Sequence, residues 1–273
     1  MIAQLLADTA AALPAMRVLI AVWMLLAVAQ WLVNAGLFAS DGLMPWSALA
    51  AQRGRPRLAR FRRFMSVGLL RTILTAQLLA AIALVGIGTP GVAIVCLTVL
   101  IASHAGLIVL SGEFWADGSA KMGMIAMTGA LMMTIGVRAQ DPGIVLAGVI
   151  VAGGQLTLSY AVAGFSKLAI GTWRNGGELQ RAMAAEAWGL PFAAQLTRHR
   201  AIALTASWGV MLLEAAFPLA VLAPMPWLVA ALALMLTFHF ATAVFMGLNL
   251  FPWAFAATYP AVLVLGRVVH AAL

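Results

Sequence analysis

Apolar residues run almost unbroken through eight stretches of this chain, near 17 to 39, 67 to 87, 92 to 111, 122 to 137, 143 to 165, 202 to 223, 226 to 247 and 252 to 269. A helix needs about 20 residues to cross a hydrocarbon core about 30 Å thick, and these stretches match that length. Backbone amides find no water in lipid, so helices are the expected state. The pattern predicts an all-α, polytopic transmembrane helix bundle of about eight spans with short amphipathic surface helices. It is expected to form a single domain over 1–273, without a soluble domain large enough to fold alone.

The polar intervals are short except at 40 to 66 and 166 to 201. In the first, Asp41-Gly-Leu-Met-Pro45 breaks the helix and leads into an arginine-rich segment suited to lie on lipid headgroups. The second reads as a short helix from Gly177 to Trp188, with Leu179, Met183 and Trp188 sharing an apolar side that covers the mouth of the bundle. The first fifteen residues carry Asp8 and no Lys or Arg, which argues against a cleaved signal peptide; Met1 to Pro14 is expected as an interfacial helix. Trp31, Trp46, Trp115, Trp173 and Trp188 fall near the predicted interfaces, as belt residues do.

Composition agrees: 64% of the 273 residues are hydrophobic, only 9% are charged, and the mean hydropathy is +1.04. The charge imbalance, 16 Lys and Arg against 8 Asp and Glu, adds orientation. Arg53, Arg55, Arg57, Arg60, Arg62 and Arg63 lie between the first two spans, and Lys167, Arg174, Arg181, Arg198 and Arg200 lie in 166 to 201. Loops on the opposite side carry only Arg138. Both basic loops are therefore expected in the cytoplasm and both termini outside it. With Phe61 and Phe64 as its only interleaved aromatics, the cluster excludes a nucleic-acid partner; the lipid bilayer is the partner it suits. The lone Cys96 reads as a packing residue, and His104, His199, His239 and His270 offer no metal-ligand pair at helical spacing, so no metal is expected.

An ionisable group at membrane depth costs about 2.5 kcal/mol or more, so it usually has a partner or a function. Three stand out: His104, Glu214 near the centre of the sixth span, and His239. Thr242, Met246 and Asn249 follow His239 at helical spacing, making a polar stripe on an oily helix. Glu214 and His239 either tie neighbouring helices together or serve a ligand. Taken alone, His104 reads as packing and Lys167 as a snorkelling lysine at the end of the fifth span.

Several separated segments together resemble the horizontally transferred transmembrane domain, the membrane module of vitamin K-dependent gamma-carboxylases. They are Asp41-Gly-Leu-Met-Pro45, Ala163-Gly-Phe-Ser-Lys-Leu168 followed by Trp173 and Gly176, Glu214, and Phe238-His239 followed by Met246-Gly-Leu-Asn-Leu-Phe251. The likeness covers nearly the whole chain. It implies that Lys167 matches the lysine that activates vitamin K hydroquinone as a base, which asks for an amine neutral often enough to take a proton from a phenolic hydroxyl. It further implies Glu214 and His239 beside Lys167 as catalytic residues. Trp173, Asp117 and Asn249 become cofactor-binding residues, with Trp173 closing the site, and a quinone or vitamin K-like hydroquinone becomes the cofactor.

The chain also departs from the carboxylase pattern. Residues 1–273 are expected to hold no counterpart of the soluble domain that engages the protein substrate, and Asp117-Gly118 stands where the carboxylases carry a functional histidine. The expected cytoplasmic side of Lys167 is opposite to the lumenal side of the matching lysine in the animal enzyme. Three readings follow: a module binding a quinone-like or amphipathic ligand, a non-catalytic membrane subunit supporting a protein partner, and a proton-coupled transporter.

Overall fold

A computed structural model describes residues 2–51, 56–112, 117–185 and 189–272, and all regular structure among them is helical. Eight helices or helix pairs are long and apolar enough to cross a bilayer: α1 (Ile2–Val33), α4 (Val67–Gly86), α5 (Pro90–Ser111), α6 (Gly118–Ala139), the run Pro142–Ala169, α12 (Arg200–Leu222), α13 (Met225–Met246) and the run Phe251–Ala272. The protein is an integral, multi-pass membrane protein. Between the spans lie α2 (Trp46–Ala51), α3 (Pro56–Phe64), α9 (Gly171–Arg174), α10 (Gly177–Ala184) and α11 (Pro191–Thr197).

The first span differs from expectation. Residues before Pro14 form no separate interfacial helix but continue into α1, with Pro14 inside it. At 1.5 Å per residue, α1 is roughly 48 Å long and must project beyond the hydrocarbon. Its projecting end is held by the last span: Arg267 donates to Asp8 at 2.5 Å, and Thr9 and Leu13 are buried. Further along α1, the buried Arg17 donates to the Gly88 carbonyl at 2.8 Å. Met16, Ile20, Trp23 and Met24 put α1 at the centre of the core, packed on α4, α6 and the last span.

Two spans are interrupted. Pro142–Ala169 consists of α7 (Pro142–Val149), a π-helical turn (Ile150–Gly154) and α8 (Gln155–Ala169). Phe251–Ala272 divides into α14 (Phe251–Ala256) and α15 (Tyr259–Ala272) around Ala257 and Thr258. The two irregularities meet: a Cβ on Gly153 would lie 2.9 Å from the Ala261 carbonyl oxygen, so backbone rests on backbone there.

The antiparallel spans give the molecule two faces. Tight turns at 87–89, 140–141 and 223–224 lie at one, where His270 bonds the Ala223 carbonyl at 2.7 Å. The long loops 40–66 and 166–201 lie at the other. The surface helix expected from Gly177 to Trp188 ends at Ala184 as α10, with Leu179 buried; Trp188, like Trp115, Arg53 and Arg55, lies outside the described residues. In that loop the Arg181 guanidinium, and after it the Thr172 hydroxyl, hydrogen-bond Glu178 and hold its carboxyl below the usual carboxylate range.

Candidate functional site

The site starts from a glycine. Gly164 faces α12 so closely that a Cβ would lie 2.3 Å from the Ala215 nitrogen and 2.8 Å from the Glu214 carbonyl carbon. Lys167 stands three residues on, one turn along the same face of α8. The close approach therefore brings Lys167 Nζ to 2.5 Å from Glu214 Oε2, although each residue belongs to a different span. Glu214 is buried, while the Lys167 side chain keeps about a fifth of its surface open, 21%.

The segment after α8 is strapped to the start of α12. Ser207 Oγ donates to the Trp173 carbonyl at 2.6 Å, and Trp208 Nε1 donates to the Arg174 carbonyl at 3.1 Å. These bonds hold the Trp173 ring with its centroid 5.5 Å from Lys167 Nζ, within cation–π range. Three residues nominated from sequence, Lys167, Glu214 and Trp173, thus form one group.

His239 belongs to a second group. Its Nε2 lies 2.7 Å from the Tyr160 hydroxyl, which is 3.5 Å from the Tyr259 hydroxyl. Tyr160 precedes Lys167 by seven residues, two turns or about 10 Å along α8, so His239 meets this helix two turns from the amine. Phe217, three residues after Glu214, meets Tyr160 edge-on at 4.8 Å and fills the space between the groups. His239 Nδ1 is buried without a hydrogen-bond partner.

Asp117 and Asn249 form a third group, lining a cavity of about 630 Å³ on the long-loop face together with Gln30, Leu190, Met246 and Phe251. Asp117 also caps α6, accepting from the Ala120 amide at 2.8 Å and the Ser119 hydroxyl at 2.7 Å. Phe251 links this cavity to the second group, its ring 6.4 Å from that of His239. His104 is buried edge-on to Trp23 at 5.1 Å, with both ring nitrogens unbonded. Among the described residues no three His, Cys, Asp or Glu side chains gather as metal ligands.

Sequence reasoning missed Tyr160 and Tyr259 as members of this region. A signal was available: they are the only two tyrosines among 273 residues, and Tyr160 meets both His239 and Tyr259. Tyr160→Phe is expected to lower stability by about 1–3 kcal/mol, because it leaves His239 buried with neither ring nitrogen bonded to Tyr160 or to the backbone. A thermal-unfolding midpoint equal to wild type would refute that role. The longer Tyr259 contact predicts a smaller effect for Tyr259→Phe.

Comparison of the chain with family models, curated proteins and solved structures finds no match. Function must be argued from the groups themselves.

Proposed function

We propose that the protein is a membrane-embedded binding module, akin to the membrane domain of vitamin K-dependent carboxylases, that receives the polar ring of a quinone-like or other amphipathic ligand at the Lys167–Glu214 pair. The observation that carries this reading is the 2.5 Å contact between Nζ and Oε2, with the amine still partly open. Beyond their mutual contact the amine keeps further N–H donors and the carboxyl group a second acceptor oxygen, which suits a ring hydroxyl or carbonyl. Trp173 offers a flat apolar surface beside the amine on which a ring can rest. Asn249 and Asp117, in the cavity on the long-loop face, are a second place for polar groups of a ligand. The arginines and lysine of the two long loops support a cytoplasmic placement of this face.

The test is native mass spectrometry with lipid extraction, comparing wild type with Lys167→Ala. A small amphiphile retained by wild type and lost from the variant is the expected result; no amphiphile in either form would reject a ligand site.

A second reading draws on the same contact. Glu214 is almost wholly covered and sits where α8 and α12 touch backbone to backbone, so the pair also suits a helix clamp in a membrane subunit that supports a protein partner. Under that reading the variant loses stability and releases no small molecule.

A further inference from the structure

The cavity of about 630 Å³ that Asp117 and Asn249 line falls within the size range of small-molecule sites. Two of its walls change character in the same direction. On α1, which runs towards the long-loop face, Leu26 is followed one turn later by Gln30. The span α13 runs the same way and ends at Met246, with Asn249 in the turn beyond it. The lining is therefore apolar on the membrane side and polar beside the loops. Phe251 completes the apolar part: a Cβ on Gly118 would lie 3.1 Å from its ring, which sets that ring against the start of α6, next to Asp117.

The polar end carries one charge. Among the described residues lining the cavity, Asp117 alone is ionisable. Its Oδ1 accepts from the Ser119 hydroxyl and the Ala120 amide, which is all that capping α6 uses. Its Oδ2 is not buried and has no hydrogen-bond partner among the described residues. Lys121 stands one turn along α6, yet the ion pairs among the described residues lie elsewhere, so the carboxylate faces the cavity without a cation. A carboxylate only accepts, so the group that meets Oδ2 must donate, and a positively charged donor makes the stronger bond. Gln30 and Asn249, both exposed, add donors and acceptors without adding charge.

We propose that this cavity binds an amphiphile with a primary ammonium head. The ammonium donates to Asp117 Oδ2 and to the carboxamide oxygens of Gln30 and Asn249, and the hydrocarbon lies on Leu26, Met246 and Phe251. This site rests on the reading of Asp117 and Asn249 as ligand-facing and not on the Lys167–Glu214 pair, so loss of an amine and loss of a ring ligand are separate outcomes.

The test titrates the detergent-solubilised full chain with dodecylamine, dodecanol and dodecanoate, and reads adducts by native mass spectrometry. The formal net charge of the chain is +8, so a diffuse field favours dodecanoate and works against the amine. Dodecylamine is nonetheless expected to be retained about tenfold above either competitor. Asp117→Asn, which keeps a good cap on α6, should cut amine retention about tenfold and leave dodecanol within about twofold of wild type. Asn249→Ala, at an exposed position, should weaken amine and alcohol alike by about threefold. Asp41→Asn, exposed on the same face but outside the cavity lining, should leave both unchanged. Preference for dodecanoate or dodecanol, or wild-type amine retention in Asp117→Asn, would overturn the ammonium site. Equal loss in Asp41→Asn would overturn it in favour of a diffuse acidic surface. Competition by butylamine as effective as by dodecylamine would overturn the amphiphile and leave a soluble amine.

Discussion

Gly164→Ala is expected to destabilise the protein by about 3 kcal/mol, a fall of roughly 6 to 12 °C in the midpoint of thermal unfolding. The added methyl would meet the Ala215 nitrogen at 2.3 Å, its Cα at 2.7 Å and the Glu214 carbonyl carbon at 2.8 Å. All three are backbone atoms, so no rotamer change relieves the clash and α8 must move off α12. The same displacement pulls Lys167 from Glu214, so ligand retention should fall with stability. Gly209→Ala, in α12 itself, makes the contrast: nothing lies within 4 Å of its added methyl, and it should be neutral or stabilising by about 0.5–1 kcal/mol. Equal midpoints for Gly164→Ala and Gly209→Ala would show that the helices do not approach as described.

The second large effect concerns the ion pair. Lys167→Met leaves the covered Glu214 carboxylate without its cation, and Glu214→Gln leaves Lys167 without its anion. The Lys167→Met variant should cost about 2.5 kcal/mol, since an unpaired charge at membrane depth is penalised by at least that amount. Glu214→Gln should cost less, because the amine retains an open side. The double variant removes both charges and should recover most of the loss, giving a coupling of about 2 kcal/mol in a double-mutant cycle. Additive losses would mean that the two side chains act independently. The double variant also separates the two functional readings. If the pair is only a clamp, restored stability restores everything; if it holds a ligand, a stable double variant still fails to retain one.

Legibility from sequence follows the range of the interactions. The spans were readable because each is set by its own run of apolar residues, and all but the first, which begins well before position 17, occur within a few residues of where that run predicts them. Residues before Pro14 were read as a separate interfacial helix because what ties them to the last span is not local: Arg267, the partner of Asp8, is 259 positions away. Sequence singled out Lys167 and Glu214 separately. Their pairing turns on Gly164, whose meaning depends on how closely another helix approaches. His239 was expected beside them because the resemblance groups all three residues, yet its nearest polar partner is Tyr160, two turns deeper along α8. The π-helical turn at Ile150–Gly154 was not foreseen from the apolar run that contains it; it lies where Gly153 closely approaches the interrupted last span.

The cavity lined by Asp117 and Asn249 and the open side of Lys167 both belong to the long-loop face, while tight turns lie at the other. Under the proposed function this asymmetry would let a ring enter and leave from a single leaflet only. Passage through the molecule would require the crowded seam where Gly153 rests on Ala261 to part.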